Sequence, residues 1–257
     1  MTVPFAARVH AYLRAEAVRS RDVERVGPFL AGFSQGDSTP FRNYAIPDDG
    51  ARPTAADIAA LVTAFERRRR RPRLEYLPAA APAVEAALLA GGFGPEARTS
   101  LMTCSLEWLP ELPDPRPPPG VELVAPASDR ERQDLLAATN EAYGEPAAGS
   151  VQAAARLQAI LAAGGLGVLA RTTEDGEPVG GGQCTPPHDG TAEIHSIGVR
   201  PCFRRRGVAC AIAGWLARAA FASGISQPWL MAATAEEERV YARAGFRAVS
   251  EVLHISR

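Results

Sequence analysis

The run IHSIGVRPCFRRRGVACAIAGWL (residues 194–216) holds the residues best suited to chemistry. An apolar, strand-like stretch gives way to an arginine-rich turn and then to an amphipathic helix. A helix start leaves its first backbone N–H groups without intrahelical partners, and the dipole adds roughly half a positive charge there, so the arrangement suits an anion. The donors run from Arg205 and Arg206 through Gly207, Val208 and Ala209 to Cys210. Gly207 has no Cβ, so a ligand can approach the backbone closely, and Ala209 keeps the next turn small. The guanidinium groups of Arg204, Arg205 and Arg206 can pair with anionic oxygens from outside. Upstream, Glu193 and His195 alternate onto the same strand face as Ile197, and either can serve as a base, directly or through water.

The surrounding pattern supplies elements to hold these groups. In the C-terminal half VELVAPA reads as a strand, and Ser128 with Glu131 forms a capping box for a helix through about Tyr143. Ser150 opens a second helix with Leu157, Ile160 and Leu161 on one face. LGVLART is a strand. Asp175-Gly176 turns it into PVGGGQCT, and Asp189-Gly190 turns again into TAEIHSIGV. The helix after the arginine turn buries Val208, Ala211, Ile212, Trp215, Leu216 and Ala219. QPWLMAA is a strand, and Thr234 with Glu237 caps a short helix that carries Tyr241. Gly245 stops that helix, and FRAVSEVLHIS closes a mixed sheet with helices packed on it, an α/β (α+β) architecture.

The N-terminal half repeats the end of this series. FRNYAIP is strand-like, Thr54 and Asp57 start a helix with Ile58, Leu61, Val62 and Phe65 on one face, PRLEYLP is a strand, APAVEAALLAG a helix, and Gly92-Phe93 leads into RTSLMTCSL. Strand, helix, strand, helix, Gly-Phe, strand therefore occurs twice, the mark of a diverged internal duplication. Between the halves, five prolines in Pro113–Pro119 remove helix and ladder donors, which makes this stretch a semi-rigid linker. The expected division is 1–111, a linker at 112–120, and 121–257.

Composition narrows the class. The 257 residues are 46% hydrophobic and 22% charged, as in globular chains, and the net charge of −1 gives no reason to expect nucleic acid or an anionic membrane as partner. All 28 basic residues are arginine, so the chain has no lysine of its own to modify. The four cysteines have no disulfide spacing and no secretory signal opens the chain, so reduced thiols in the cytoplasm fit best. Cys184 and His188 are too few ligands for a metal, and no apolar run is long enough to span a membrane.

The C-terminal half, residues 119–257, resembles the GNAT family of acyl-CoA-dependent N-acyltransferases. The matching residues are the Arg/Gln-x-x-Gly-x-Gly/Ala turn at Arg204–Ala209, the SIGV strand before it, and Tyr-x-x-x-Gly-Phe at Tyr241–Phe246. The resemblance implies a GNAT fold, here as two tandem GNAT-like domains, with acetyl-CoA as co-substrate and no metal. It places the coenzyme A pyrophosphate on the arginine turn and the pantetheine arm along the backbone of Ile197, Gly198 and Val199. Tyr241 then hydrogen-bonds the departing sulfur. Glu193, fourteen residues before Gly207, takes the place of the general-base glutamate of histone-type members. Thr234 falls where the family often has a cofactor-contacting asparagine. The N-terminal half looks like a degenerate copy, with PDDGARPTAAD in place of the glycine turn and Leu88 in place of the tyrosine.

The implied reaction is direct attack of a primary amine on an acetyl thioester. Freeing a lysine-like amine of pKa ~10.4 at pH 7 costs ~4.6 kcal/mol, against ~1 kcal/mol for an α-amine near 7.8. A base therefore matters more for the first kind of acceptor. A non-enzymatic acyl-CoA-binding or regulatory module and a transferase of another acyl group are the alternatives. Acceptor selection falls to GEPAAGS (144–150), to the TPPHDG hairpin and to the N-terminal half, in a chain that is a monomer or a homodimer.

Overall fold

The computed structural model describes residues 5–108, 116–145 and 151–257. Its elements in chain order are α1 (Phe5–Ser20), β1 (Asp22–Val26), β2 (Phe29–Phe33), β3 (Tyr44–Pro47), α2 (Ala55–Arg67), β4 (Arg73–Tyr76), α3 (Val84–Ala90), β5 (Gly94–Thr103), β6 (Val121–Val124), α4 (Asp129–Ala142), α5 (Val151–Ala162), β7 (Leu166–Thr172), β8 (Pro178–Cys184), β9 (Thr191–Val199), α6 (Val208–Ala222), β10 (Gln227–Ala232), α7 (Ala235–Arg243) and β11 (Arg247–Ser256). The chain divides into two compact units, Met1–Leu101 with Val249–Arg257, and Met102–Ala248. The division falls within β5 and β11. The first part of the stretch read as a linker, 112–115, and Ser150 at the start of α5, lie outside the described residues.

In the first unit the strands follow the order β1-β2-β3-β4-β11-β5. A hairpin joins β1 to β2, β3 and β4 run parallel, and Leu253–Ser256 of β11 pair antiparallel with Tyr76–Arg73 of β4. Ile58, Leu61, Val62 and Phe65 of α2 are buried as their spacing predicts, against Phe29, Phe33, Leu74 and Leu253. The sequence pattern assigns nothing before Phe41, whereas α1, β1 and β2 occupy that stretch. FRNYAIP is only half strand, because Pro40–Arg42 form a 3-10 turn ahead of β3.

In the second unit the order is β10-β9-β8-β7-β6. The β6–β7, β7–β8 and β8–β9 ladders are antiparallel, and β9–β10 is parallel. The end of β5 lies beside β10, with Thr103 Oγ1 donating to the Pro228 carbonyl at 2.9 Å. The capping box of α4 forms as read, with the Glu131 amide donating to Ser128 Oγ at 3.2 Å and the Ser128 amide donating to Glu131 Oε2 at 2.9 Å. The glycine run of β8 lies between two helices. A Cβ on Gly181 would come within 2.0 Å of Leu135 of α4, and one on Gly182 within 2.9 Å of Ile212 of α6. The buried face of α6 is broader than its predicted stripe. Ala213, Gly214, Ala217 and Ala220 are buried with Val208, Ala211, Ile212 and Leu216, while Trp215 and Ala219 stay half-buried, because α7 packs against a second side of the helix.

Candidate active site

The strand β9 ends at Val199 and runs through a 3-10 turn at Pro201–Phe203 into the arginine turn. Arg205 (φ +65°) and Gly207 (φ +89°) both take left-handed conformations, which fold successive amides into a concave nest. Gly207 is the N-cap of α6 and offers no capping side chain, and the first turn of α6 carries no acid. The first intrahelical bond runs from the Ala211 amide to the Gly207 carbonyl at 3.1 Å, so the amides of Val208, Ala209 and Cys210 are the unpaired donors of a helix start. Nothing lies within 4 Å of where a Cβ on Gly207 would be, so the backbone is open to approach.

The three arginines do different work. Arg204 donates from Nε to the Val199 carbonyl at 3.1 Å and from a terminal nitrogen to the Ala142 carbonyl at 2.8 Å, which ties the end of α4 to the end of β9. Arg205 is exposed and paired with Glu236 at the start of α7. The Arg206 guanidinium stacks over the Phe203 ring, 5.4 Å from its centroid.

Behind the turn the sheet opens. Thr191–Glu193 of β9 pair with Gln227–Trp229 of β10, and the register stops there although both strands continue. The edge of β9 from Ile194 to Val199 is thus left without β10 as partner. Two side chains take carbonyls of this stretch, Tyr143 Oη on that of Ile197 at 3.0 Å and Arg204 on that of Val199. Tyr143, just past α4, was not singled out by the sequence.

A bulge changes the facing of β9. Gly181 pairs with Gly198 but Gln183 pairs with His195, so β9 carries one residue more than β8 across this stretch. Ser196 absorbs it at φ +53°. Strict alternation predicts Glu193, His195 and Ile197 on one face, and this is corrected. Glu193 and His195 face the α4 side with Gly198, where a Cβ would meet Ala142 and Thr139. Ile197 turns to the other side, packed with the core that includes Ile212 and Leu216.

Glu193 and His195 are both half-buried. Thr185 clamps the backbone of Glu193, its Oγ1 accepting from the Glu193 amide at 2.9 Å and its amide donating to the Glu193 carbonyl at 2.9 Å. His195 Nδ1 lies 2.9 Å from Ser196 Oγ. Burial, and then the charge of Glu193, pushes the Cys184 thiol up to about 12 and leaves it inert as a nucleophile. Tyr241 is 9% exposed on α7. Burial, with smaller contributions from Glu237 and Tyr143, raises its phenol far above the ordinary value, so it keeps its proton. Thr234 caps α7 by accepting from the Glu237 amide at 3.2 Å. Among the described residues no cluster of three or more His, Cys, Asp or Glu could hold a metal ion, and no helix is long and apolar enough to cross a membrane.

Residues 132–246, which contain this whole arrangement, match the family described as Acetyltransferase (GNAT) family. This segment is similar to the GNAT acetyltransferases. No curated protein matches the chain. Among solved structures, a GCN5-related N-acetyltransferase from Kribbella flavida aligns over 99% of this chain and 96% of its own at 23% identity, with a TM-score of 0.81. A GCN5-related N-acetyltransferase from Sphaerobacter thermophilus aligns over 90% and 76% at 19% identity with a TM-score of 0.66. A tandem GNAT protein from the clavulanic acid biosynthesis pathway aligns over 89% and 78% at 16% identity with a TM-score of 0.65. These likenesses show a mixed α/β, GNAT-like fold.

Proposed function

We propose that the second unit holds the complete acetyl-transfer site and that the first is a tandem GNAT-like copy without catalysis of its own. The carrying observation is the contrast between two helix starts. At α6 the amides are uncapped, Gly207 is left-handed, and no acid intervenes. At α2 the Thr54–Asp57 capping box fills the same positions, and the Asp57 carboxylate accepts from the Thr54 amide at 2.8 Å. An anion approaching α2 meets a carboxylate. Leu88, at the counterpart of Tyr241, is fully buried and has no polar atom on its side chain.

Acetyl-CoA fits the second unit. Its pyrophosphate matches the nest from Arg205 to Cys210, with Arg205 and Arg206 as outer partners and Arg204 holding the strand end in place. The pantetheine arm matches the open edge of β9 at Ile197, Gly198 and Val199, where Tyr143 and Arg204 now hold the carbonyls. Bound there, the cosubstrate supplies an electrophilic thioester. Glu193, with His195 beside it, takes the proton of the attacking amine, and Tyr241 donates to the departing sulfur. A phenol this basic stabilises negative charge on sulfur as the bond breaks rather than transferring its proton early. Thr234 acts on the site through the cap of α7. The protein works in the cytoplasm as a monomer or homodimer. Calorimetry with coenzyme A, together with free-thiol release from acetyl-CoA over a panel of amines, tests this reading. No heat at millimolar coenzyme A overturns it.

A further inference from the structure

The wall of the site on the α4 side contains one buried polar group that the reaction above does not use. Gly167 of β7, Gln183 of β8 and His195 of β9 are cross-strand partners in one row. Their facing is fixed by their neighbours. Gly182 meets Ile212 and Leu216 of α6, whereas Gly181 and Gly167 meet Leu135 of α4. Gln183 therefore faces the α4 side, next to His195 and one step from Glu193.

Gln183 is 7% exposed. Its amide carries two donor hydrogens and an acceptor oxygen, yet among the described residues nothing hydrogen-bonds to it. The polar groups around it are committed elsewhere, Thr185 Oγ1 to the Glu193 backbone and His195 Nδ1 to Ser196. On its other flank Gly167 offers no side chain. Its amide atoms are not among the fully enclosed polar atoms that lack a partner, so they keep some contact with solvent, as a group that meets a ligand must. A leucine of similar size would fill the same space beside Leu135 and present no polar atom to that opening.

We propose that Gln183 is a specificity residue for the acceptor: its amide hydrogen-bonds a neutral polar group on the amine substrate, a hydroxymethyl or carboxamide on the carbon next to the amine. Cross-strand side chains stand about 5 Å apart. An amine delivered to Glu193 or His195 therefore brings a substituent on its adjacent carbon within reach of Gln183. The inference rests on the acetyltransferase reading and narrows its acceptor to small polar amines or amide-bearing N-termini, as against plain alkyl amines.

The test compares wild type with Gln183→Leu, using ethanolamine and glycinamide against propylamine, with kcat/KM read by thiol release. The amines differ in basicity, so the decisive quantity is the change in each polar-to-alkyl ratio on mutation, in which that difference cancels. The ratio is expected to fall roughly 10- to 100-fold, with the Kd for coenzyme A unchanged. The variant is also expected to melt at the same temperature as wild type or higher, because no side-chain hydrogen bond of Gln183 is lost and leucine fits beside Leu135. An unchanged ratio, or a melting temperature several degrees lower, overturns the proposal and leaves acetyl transfer standing. Coenzyme A binding without thiol release on any amine overturns acetyl transfer and this inference together.

Discussion

Tyr241→Phe removes one hydroxyl from a buried ring and leaves the packing of α7 on α6 intact. If the phenol acts on the leaving sulfur, its contribution appears in the transition state and not in binding. The expected result is a kcat reduced roughly 10- to 100-fold with the KM for acetyl-CoA nearly constant, measured by steady-state thiol release. A rise in KM at constant kcat would place the phenol on the ground-state ligand. Glu193→Gln separates the base from its surroundings. Without a base the full cost of freeing the amine returns, so kcat/KM is expected to drop roughly 1,000-fold for an alkyl amine and under tenfold for an α-amine near pKa 7.8. Equal losses on both amines would mean that Glu193 acts by charge alone, and a larger differential in His195→Gln would move the base to the histidine. At this scale the sequence was informative about residue types and less so about contacts. Arg204–Ala209 stood out because glycine and arginine at a helix start have a physical meaning. Tyr143 did not, because its hydroxyl reaches the Ile197 carbonyl only through the close packing of α4 on Gly198.

The strand β8 shows how an element can be fixed by what packs on it. A Cβ on Gly180 would lie 2.4 Å from the Gly198 carbonyl oxygen, which is backbone and can yield only if β9 moves. Gly180→Ala is therefore expected to cost about 1–3 kcal/mol in denaturant unfolding. It should also weaken coenzyme A binding, because the displaced segment is the open edge of β9. A variant with wild-type stability would show that the edge yields freely. The helices were legible because their signals are local: the boxes at Ser128 and Thr54, the apolar spacing of α2, the turns at Asp175-Gly176 and Asp189-Gly190. The bulge at Ser196 was not, since an extra residue in β9 is defined only against β8 and leaves no trace along β9 itself. α1 leaves no sequence signal for a related reason. Its buried side includes His10 and Tyr12, so no clean apolar stripe marks it.

Across the whole molecule, the repeated order of strands and helices was visible because each half carries its own periodicity. That Val249–Arg257 belong with the first unit was not, because the Leu253–Tyr76 pairing joins segments far apart in sequence. In the first unit four shifted groups, His10, Asp49, Glu75 and Glu96, agree in sign. His10 is fully buried, with Nδ1 2.8 Å from Asp49 and Nε2 facing the Leu77 amide at 3.3 Å. Burial, only partly opposed by Asp49, lowers it from 6.5, because a proton on Nε2 would face another donor. Burial alone would raise Glu75, but its hydrogen bond to His254 and the charges of His254, Arg73 and Arg21 hold it below 4.5. Glu96 is likewise held down against burial by Ser256 and Arg73, and Asp49 by Arg14 and His10. For each group the unfolded chain binds protons more readily than the folded one, so stability is present above the unfolded value and lost as pH falls. His10 acts first, from about pH 6.5 downward, and the carboxylates follow below about 4.5. The melting temperature followed by circular dichroism is therefore expected to decline gently from pH 7 to 5 and steeply below 4.5. His10→Gln keeps an acceptor for the Leu77 amide and removes the titration, so it should flatten the upper segment and leave the lower one in place. A gentle segment that survives this substitution would show that the imidazole is not its source.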